Sequence, residues 1–335
     1  MVHAFDCVKG RDLCSSIERL QPEWIKLAKE NKTPQTTFDG EKDRYSLPLV
    51  CEHSRVKLQP QGVYINANYV LNKNYIASQA PLPHTFSQFY DMIWQENVSV
   101  IVMLTKLEES QRCKAHRYWP TSCRPIKFFG DIDNNEHRWK VELLEKDAVD
   151  SDILLRTLCI TLTKTGESRT ITQVQYTGWP DHGCPSEIRS VAAVLDVVDT
   201  NYKGGPLLVH CSAGIGRTGT FIAIRHELLC AVQLFRKYSP YFMFESTFEK
   251  IKVLQTFLQE HRFSISRTVQ QMRQDRNLMV QRLEQLKFCY EFFQYLANDE
   301  NKDNYCMEEY ILPFFFPECR EQIISNNSGS LFSFP

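Results

Sequence analysis

Eleven consecutive residues carry the densest chemistry in the chain: Val209-His210-Cys211-Ser212-Ala213-Gly214-Ile215-Gly216-Arg217-Thr218-Gly219. The run Pro206-Leu207-Leu208-Val209 leads into them as a short buried strand, and residues 218–231 read as a buried helix. Between the two, Gly214, Gly216 and Gly219 let the chain turn tightly. The backbone N–H groups of Ser212, Ala213, Gly214, Ile215 and Gly216 can then face one centre. The following helix turns the positive end of its dipole toward that centre. Arg217, six residues after Cys211, supplies a planar fork that matches two phosphate oxygens. The same positive field favours a thiolate at Cys211. Thr218 would donate its hydroxyl to that thiolate, and His210 would fix the loop from behind. The chemistry this arrangement suits is phosphoryl transfer, with Cys211 as nucleophile.

Fragments of the string are far less specific than the whole. Cys230 and Arg236 repeat the Cys-x5-Arg spacing, but in an apolar helical stretch without glycine, where Cys230 reads as core. Gly214-x-Gly216-x-x-Gly219 matches a dinucleotide-binding fingerprint after a strand. Arg217 inside the loop speaks against it. So does the lack of a following strand that ends in an acidic ribose-binding residue.

The full string resembles the signature of the tyrosine-specific protein phosphatases of the cysteine-dependent family, His-Cys-x5-Arg followed by Ser or Thr. The resemblance runs over roughly residues 37–298 and is closest to the single-domain non-receptor type. It implies hydrolysis of phosphotyrosine through a cysteinyl-phosphate intermediate, with Arg217 binding phosphate. A phenolic leaving group of pKa about 10 needs a proton donor. Trp179-Pro180-Asp181-His182-Gly183 resembles the family's mobile acid loop, with Asp181 as general acid and then general base. Taken alone, proline and glycine around an acid are also an ordinary turn signature. Val280-Gln281-Arg282-Leu283-Glu284-Gln285 resembles the glutamine segment, in which Gln281 orients the hydrolytic water and Gln285 is its secondary partner. Lys42-Asp43-Arg44-Tyr45, followed by His53-Ser54-Arg55-Val56, resembles the recognition loop. Tyr45 would stack on the substrate ring and form a wall too tall for phosphoserine to reach past.

The remaining matches support the loop. Tyr64-Ile65-Asn66-Ala67-Asn68 and Ser78-Gln79-Ala80-Pro81 resemble core motifs that buttress it. Glu109 aligns with a glutamate that pairs with the loop arginine, and Lys114 with a lysine that contacts the acid loop. Three departures concern the rim. Leu47 stands where Asp or Asn often binds the peptide backbone, Val50-Cys51-Glu52 replaces an aromatic-Asp pair, and Leu278 replaces a glycine used by some members. A nucleophilic thiolate is also open to peroxide, giving a reversible sulfenic acid. Cys113 and Cys184 flank the site loops as candidate resolving thiols.

The elements that must position these residues follow from periodicity. Residues 15–31 have helical spacing, and residues 33–40 form a polar connector. Residues 85–97 read as a helix feeding the continuous apolar run 98–104, which suits a buried parallel strand. Strands are expected at 126–132, 139–144, 153–162 and 169–176, and helices at 187–199, 218–231, 245–260, 269–273 and 278–297. The fold class is α/β: one large domain with a highly twisted mixed β-sheet flanked by helices on both faces. Residues 1–36 form a helical lead-in, 37–300 the catalytic domain and 301–335 a tail. Pro313-Phe314-Phe315-Phe316-Pro317 is too short to span a bilayer and should pack on the domain surface.

Composition narrows the partners. Lys and Arg total 39 against 40 Asp and Glu, so no global charge points to nucleic acid or a membrane surface. There is neither an apolar run long enough for a membrane span nor an apolar N-terminal export segment. The twelve cysteines lack a disulfide or metal framework and read as reduced thiols of a cytoplasmic protein. Asp131-x-Asp133-x-Asn135 with Glu142 imitates a calcium loop, but Glu136 occupies the position that needs glycine, so a hairpin turn is expected. No metal or cofactor is implied, and the expected partners are phosphotyrosine-containing proteins or peptides. The alternative is a catalytically impaired phosphotyrosine-binding module. Cys211, Asp181 and Arg217 together weigh against it, while Tyr45 weighs against a broader phosphatase.

Overall fold

Val100–Met103 is apolar at every position, so neither of its faces can be left to water, and it lies inside an eight-stranded sheet. The computed structural model describes residues 7–29, 35–59, 62–122, 124–129, 137–180, 183–238, 246–298, 306–317 and 319. The sheet strands are β1 (Ala67–Val70), β2 (Tyr75–Ser78), β3 (Val100–Met103), β4 (Ile126–Phe129), β5 (His137–Asp150), β6 (Ile153–Leu162), β7 (Ser168–Tyr176) and β8 (Leu207–His210). Their spatial order is β1-β2-β8-β3-β7-β6-β5-β4. Neighbours from β2 through β8 and β3 to β7 run parallel, and the outer pairs run antiparallel. The expected mixed α/β sheet is present.

Side-chain alternation splits the core. Leu207 and Val209 of β8 enter one apolar cluster and Leu208 the other, as a period of two requires. The first cluster is shared with α4 (Ile188–Asn201), α5 (Gly216–Tyr238), α6 (Thr247–Glu260), α7 (Ile265–Asp275) and α8 (Leu283–Ala297). The second is shared with α3 (Phe86–Gln95). Helices therefore cover both faces. Ahead of this layer, α1 (Leu13–Ile17) and α2 (Leu20–Lys29) lie on α8. Farther along, α9 (Leu312–Phe315) buries Phe314 and Phe315, with the Phe315 ring centroid 5.4 Å from that of Phe235 on α5.

Four differences from the sequence reading have physical causes. The hairpin of β1 and β2 turns without glycine or proline, through Leu71, Asn72 and Lys73, all with φ above zero, which leaves Asn72 and Asn74 as its turn-type residues. α5 extends beyond both expected ends. Cys230 is exposed rather than core, since its helical phase falls off the apolar stripe of Leu228, Ala231, Val232 and Phe235. Residues 278–282 are not helical: Leu278 and Val280 have φ of 61° and 55°, and α8 starts only at Leu283. Of the calcium-like residues, Glu142 lies on β5, while Asp131, Asp133, Asn135 and Glu136 lie outside the described residues.

Candidate active site

Strand β8, interior to the sheet, places His210 and Cys211 at its C-terminal end, and α5 opens at Gly216 five residues later. The loop between them closes on its own thiol, for the Gly214 N–H donates to Cys211 Sγ at 3.3 Å. Gly214 has φ of 71°, and a Cβ there would sit 2.0 Å from the Ser78 carbonyl oxygen. Only glycine fits that position. Gly219 allows a different approach, because a Cβ there would lie 2.5 Å from the Val280 nitrogen. This closeness lets the Val280 N–H donate to Ile215 O at 3.0 Å, which seats the glutamine segment on the loop.

Arg217 is held as a fork. Its Nη1 and Nη2 each donate to one oxygen of Glu109 at 2.7 Å, Nη1 also to Leu104 O at 3.1 Å and Nη2 to Pro180 O at 3.0 Å. Burial pushes the Glu109 carboxyl up, but hydrogen bonds and charge from Arg217 outweigh it and leave the group below its ordinary value. Thr105 Oγ1 adds a hydrogen bond to the same carboxylate at 2.9 Å. Pro180 carries the acid loop to the arginine. Asp181 and His182 themselves lie outside the described residues.

Behind the loop, hydrogen bonds set the state of His210. Arg156 donates to Gln173 Oε1 at 2.9 Å, and Gln173 Nε2 then donates to Tyr118 Oη at 2.7 Å. The Tyr118 hydroxyl is left to donate to His210 Nε2 at 2.8 Å. The ring proton must therefore be on Nδ1, which donates to Cys211 O at 3.1 Å. His210 is fully buried, and burial lowers its pKa to about 4. It is a neutral strut.

Arg276 braces the loop from the other side, and nothing local in the sequence announces it. It is fully buried, with Nε and Nη2 donating to the carbonyls of Gly214 and Ala213 at 2.8 and 3.0 Å. Its remaining donors reach Asn68 Oδ1 at 2.9 Å and Asn66 Oδ1 at 2.6 Å. Holding these carbonyls outward turns the amides of the same peptide units to the opposite side, where the Gly214 N–H reaches Cys211 Sγ. Burial lowers the guanidinium to about 10, so it stays charged at neutral pH. Tyr118, Thr105 and Arg156 likewise escape a sequence reading, since each acts through partners distant in the chain.

The rim is built from the recognition segment. Ser212 Oγ donates to Lys114 O at 2.7 Å, so the Tyr45 hydroxyl donates to Ser212 Oγ, also at 2.7 Å. Arg44 fixes Tyr45 from the neighbouring position, donating to Ala80 O at 3.1 Å and Pro81 O at 3.0 Å. Tyr45, Leu47, Glu109, Lys114, Cys211, Ser212, Ala213, Ile215, Gly216, Arg217, Gln281, Arg282 and Gln285 line one cleft with Thr105 and Gly183. Gln285 also serves the backbone, where its Oε1 accepts from the Gln281 and Arg282 amides at 2.9 and 3.2 Å and caps α8. Thr218 Oγ1 is buried and, among the described residues, has no hydrogen-bond partner. Burial pushes the Cys184 thiol up to about 12, so it remains protonated at neutral pH, while Cys113 is exposed. Among the described residues, no group of three or more His, Cys, Asp or Glu is placed to hold a metal ion. No described helix is long and apolar enough to cross a membrane.

Fold and site together define an α/β protein with a thiol seated in a glycine-rich loop between a central strand and a buried helix. The family model described as protein-tyrosine phosphatase matches residues 39–239 and 245–295. Tyrosine-protein phosphatase 1 of Dictyostelium discoideum is 34% identical over 272 residues, covering 71% of this chain and 51% of that protein. Tyrosine-protein phosphatase non-receptor type 20 of Mus musculus is 34% identical over 297 residues, covering 85% and 62%. The Lar-like tyrosine-protein phosphatase of Caenorhabditis elegans is 43% identical over 194 residues, covering 55% and 8%. The chain belongs to the protein-tyrosine phosphatase family. It spans about half of the Dictyostelium relative and a small part of the Lar-like one.

Proposed function

We propose that this protein hydrolyses phosphotyrosine in proteins and peptides through a cysteinyl-phosphate intermediate. The Cys211 thiolate attacks phosphorus, and the bond from phosphorus to the phenolic oxygen breaks. Asp181 gives its proton to that oxygen. Amides of residues 212–216 and the Arg217 fork hold the phosphoryl oxygens, where charge develops in the transition state. A water oriented by Gln281 then attacks phosphorus, Asp181 takes its proton, and the electron pair of the P–S bond returns to Cys211. Thr218 serves the thiolate and Tyr45 receives the substrate ring. Glu109 keeps Arg217 in register, and Lys114 supports the acid loop. The observation that carries this reading is the single cleft in which Cys211, Arg217, Gln281 and Tyr45 converge.

In the same reading, residues 1–36 are a lead-in, 37–300 the catalytic domain and 301–335 a tail. The protein acts in the cytoplasm, as a signalling enzyme of non-receptor type. The test is hydrolysis of matched phosphotyrosine and phosphoserine peptides by the wild type and Cys211→Ser. Phosphate release from the tyrosine peptide alone, lost in the variant, is the expected result. Equal rates on both peptides would remove the tyrosine assignment, and activity in Cys211→Ser would remove the mechanism.

A further inference from the structure

The turn that carries Gln281 is held in an unfavourable backbone conformation. Val280 is β-branched and has φ of 55°, a region such residues avoid, and Leu278 two positions earlier is also left-handed. A strained turn persists only where its surroundings over-determine it. One restraint is the Val280 N–H on Ile215 O. Gln285 Oε1 holds the Gln281 amide from the far side, and two more restraints come from one side chain: Arg273 Nε donates to Met279 O at 2.9 Å and Nη2 to Val280 O at 2.8 Å. Arg273 is 4% exposed. Above its guanidinium, 4.8 Å from the ring centre, lies the indole of Trp24.

Trp24 belongs to α2, outside the matched family segment, which begins at residue 39. α2 is itself fixed by buried Leu20 and Leu27. It also grips the far side of the turn, for the Glu23 carboxylate accepts from Tyr290 Oη of α8 at 3.2 Å. One short helix thus touches both α7 and α8, the helices that flank residues 276–282. We infer that Trp24 is a positioning residue for Gln281: its ring face holds the Arg273 guanidinium against the Met279 and Val280 carbonyls, and so sets the glutamine for the hydrolytic water. The inference rests on the proposed reaction. It gives the N-terminal helices a part in the second chemical step, in which water attacks phosphorus and the P–S bond breaks.

The two steps can be read separately. kcat/KM reports events up to transfer of phosphorus to Cys211, whereas breakdown of the cysteinyl phosphate enters only kcat. Trp24→Leu keeps apolar contact but removes the π face that attracts the cation. It should lower kcat roughly tenfold, the scale of a small misplacement of a reacting group, while kcat/KM changes by less than about twofold. Rapid mixing with an aryl phosphate should then show a burst of about one phenol per enzyme, ahead of a slow steady phase. Trp24→Phe retains a ring face and should restore the single-phase time course. A Trp24→Leu enzyme in which kcat and kcat/KM fall together, or neither falls, overturns the coupling and leaves the reaction standing. A wild type that releases no phenol overturns the reaction, and the role of Trp24 with it.

Discussion

Buried His210 should make the stability of this protein sensitive to mild acid. An ordinary histidine titrates near ~6.5, but burial lowers the pKa of His210 to about 4. The sign follows from linkage. Between those two values the unfolded chain carries a proton that the folded chain refuses, so acid favours unfolding. The contribution is fully present above the unfolded pKa and is lost as pH falls toward the folded one. Over the whole window it amounts to ~3 kcal/mol, of which about 2 kcal/mol disappears between pH 7 and 5.

His210→Gln isolates this effect from the other histidines, because it leaves them all in place. Its amide can still accept from Tyr118, yet it has no titrating group. Urea unfolding of both proteins at pH 7, 6 and 5 provides the measurement. The wild type should be the more stable at pH 7, and the gap should narrow by about 2 kcal/mol at pH 5. A gap that stays constant across this range refutes the neutral, buried strut derived from the Gln173–Tyr118–His210 bonds.

Three further outcomes are expected. Asp181→Ala should cut turnover by ~10²–10⁴ while phosphopeptide affinity holds, and normal turnover on a phosphotyrosine peptide would exclude Asp181 as the acid. Glu109→Ala leaves the half-buried Arg217 charge without its carboxylate and should cost ~3–5 kcal/mol in urea unfolding. Because the Glu109 carboxyl is held below its ordinary value, its support is present above that value and fades as pH falls through the folded one, so a loss that is equal at neutral and strongly acidic pH contradicts the pairing. Thr218→Val exchanges a buried, unpartnered hydroxyl for a methyl of similar shape. It should gain ~1–3 kcal/mol in stability while slowing turnover, and a variant that is both less stable and fully active would show the hydroxyl to be structural.

What could be read from the sequence follows the range of the physics involved. The anion loop needs amides, thiol and arginine on one short stretch of backbone, so residues 210–218 display it locally. Likewise residues 100–104 are apolar on both faces because β3 is buried on both. By contrast, Arg276 contacts Asn66 across 210 positions of chain, and Tyr118 meets His210 across 92. Nothing in the local pattern of either residue encodes its partner. The true start of α8 is hidden for the same reason. Residues 278–282 have ordinary helix-forming character, and bonds from Arg273 and Ile215 hold them in another shape.

The departures at Leu47 and Leu278 can be understood from which atoms hold the site. The recognition segment is tied to the α7–α8 turn through its carbonyls: the Asn277 N–H donates to Leu49 O at 3.0 Å, and the side-chain Asn277 Nδ2 to Pro48 O at 3.1 Å. The turn is tied to the loop by the Val280 N–H on Ile215 O and by the Arg276 guanidinium on the carbonyls of Ala213 and Gly214. The side chain of Leu47 enters none of these bonds and is 41% exposed. Its identity can therefore change what the rim offers a substrate without moving Tyr45 or the thiol. Leu278 differs, because its left-handed backbone costs about 1–2 kcal/mol that a glycine would avoid. That strain persists because Asn277 and Val280, on either side, are anchored to separate loops. Variation at the rim and rigidity at the thiol are thus compatible: the exposed Leu47 side chain lies outside the hydrogen bonds that hold the loop and the turn in place.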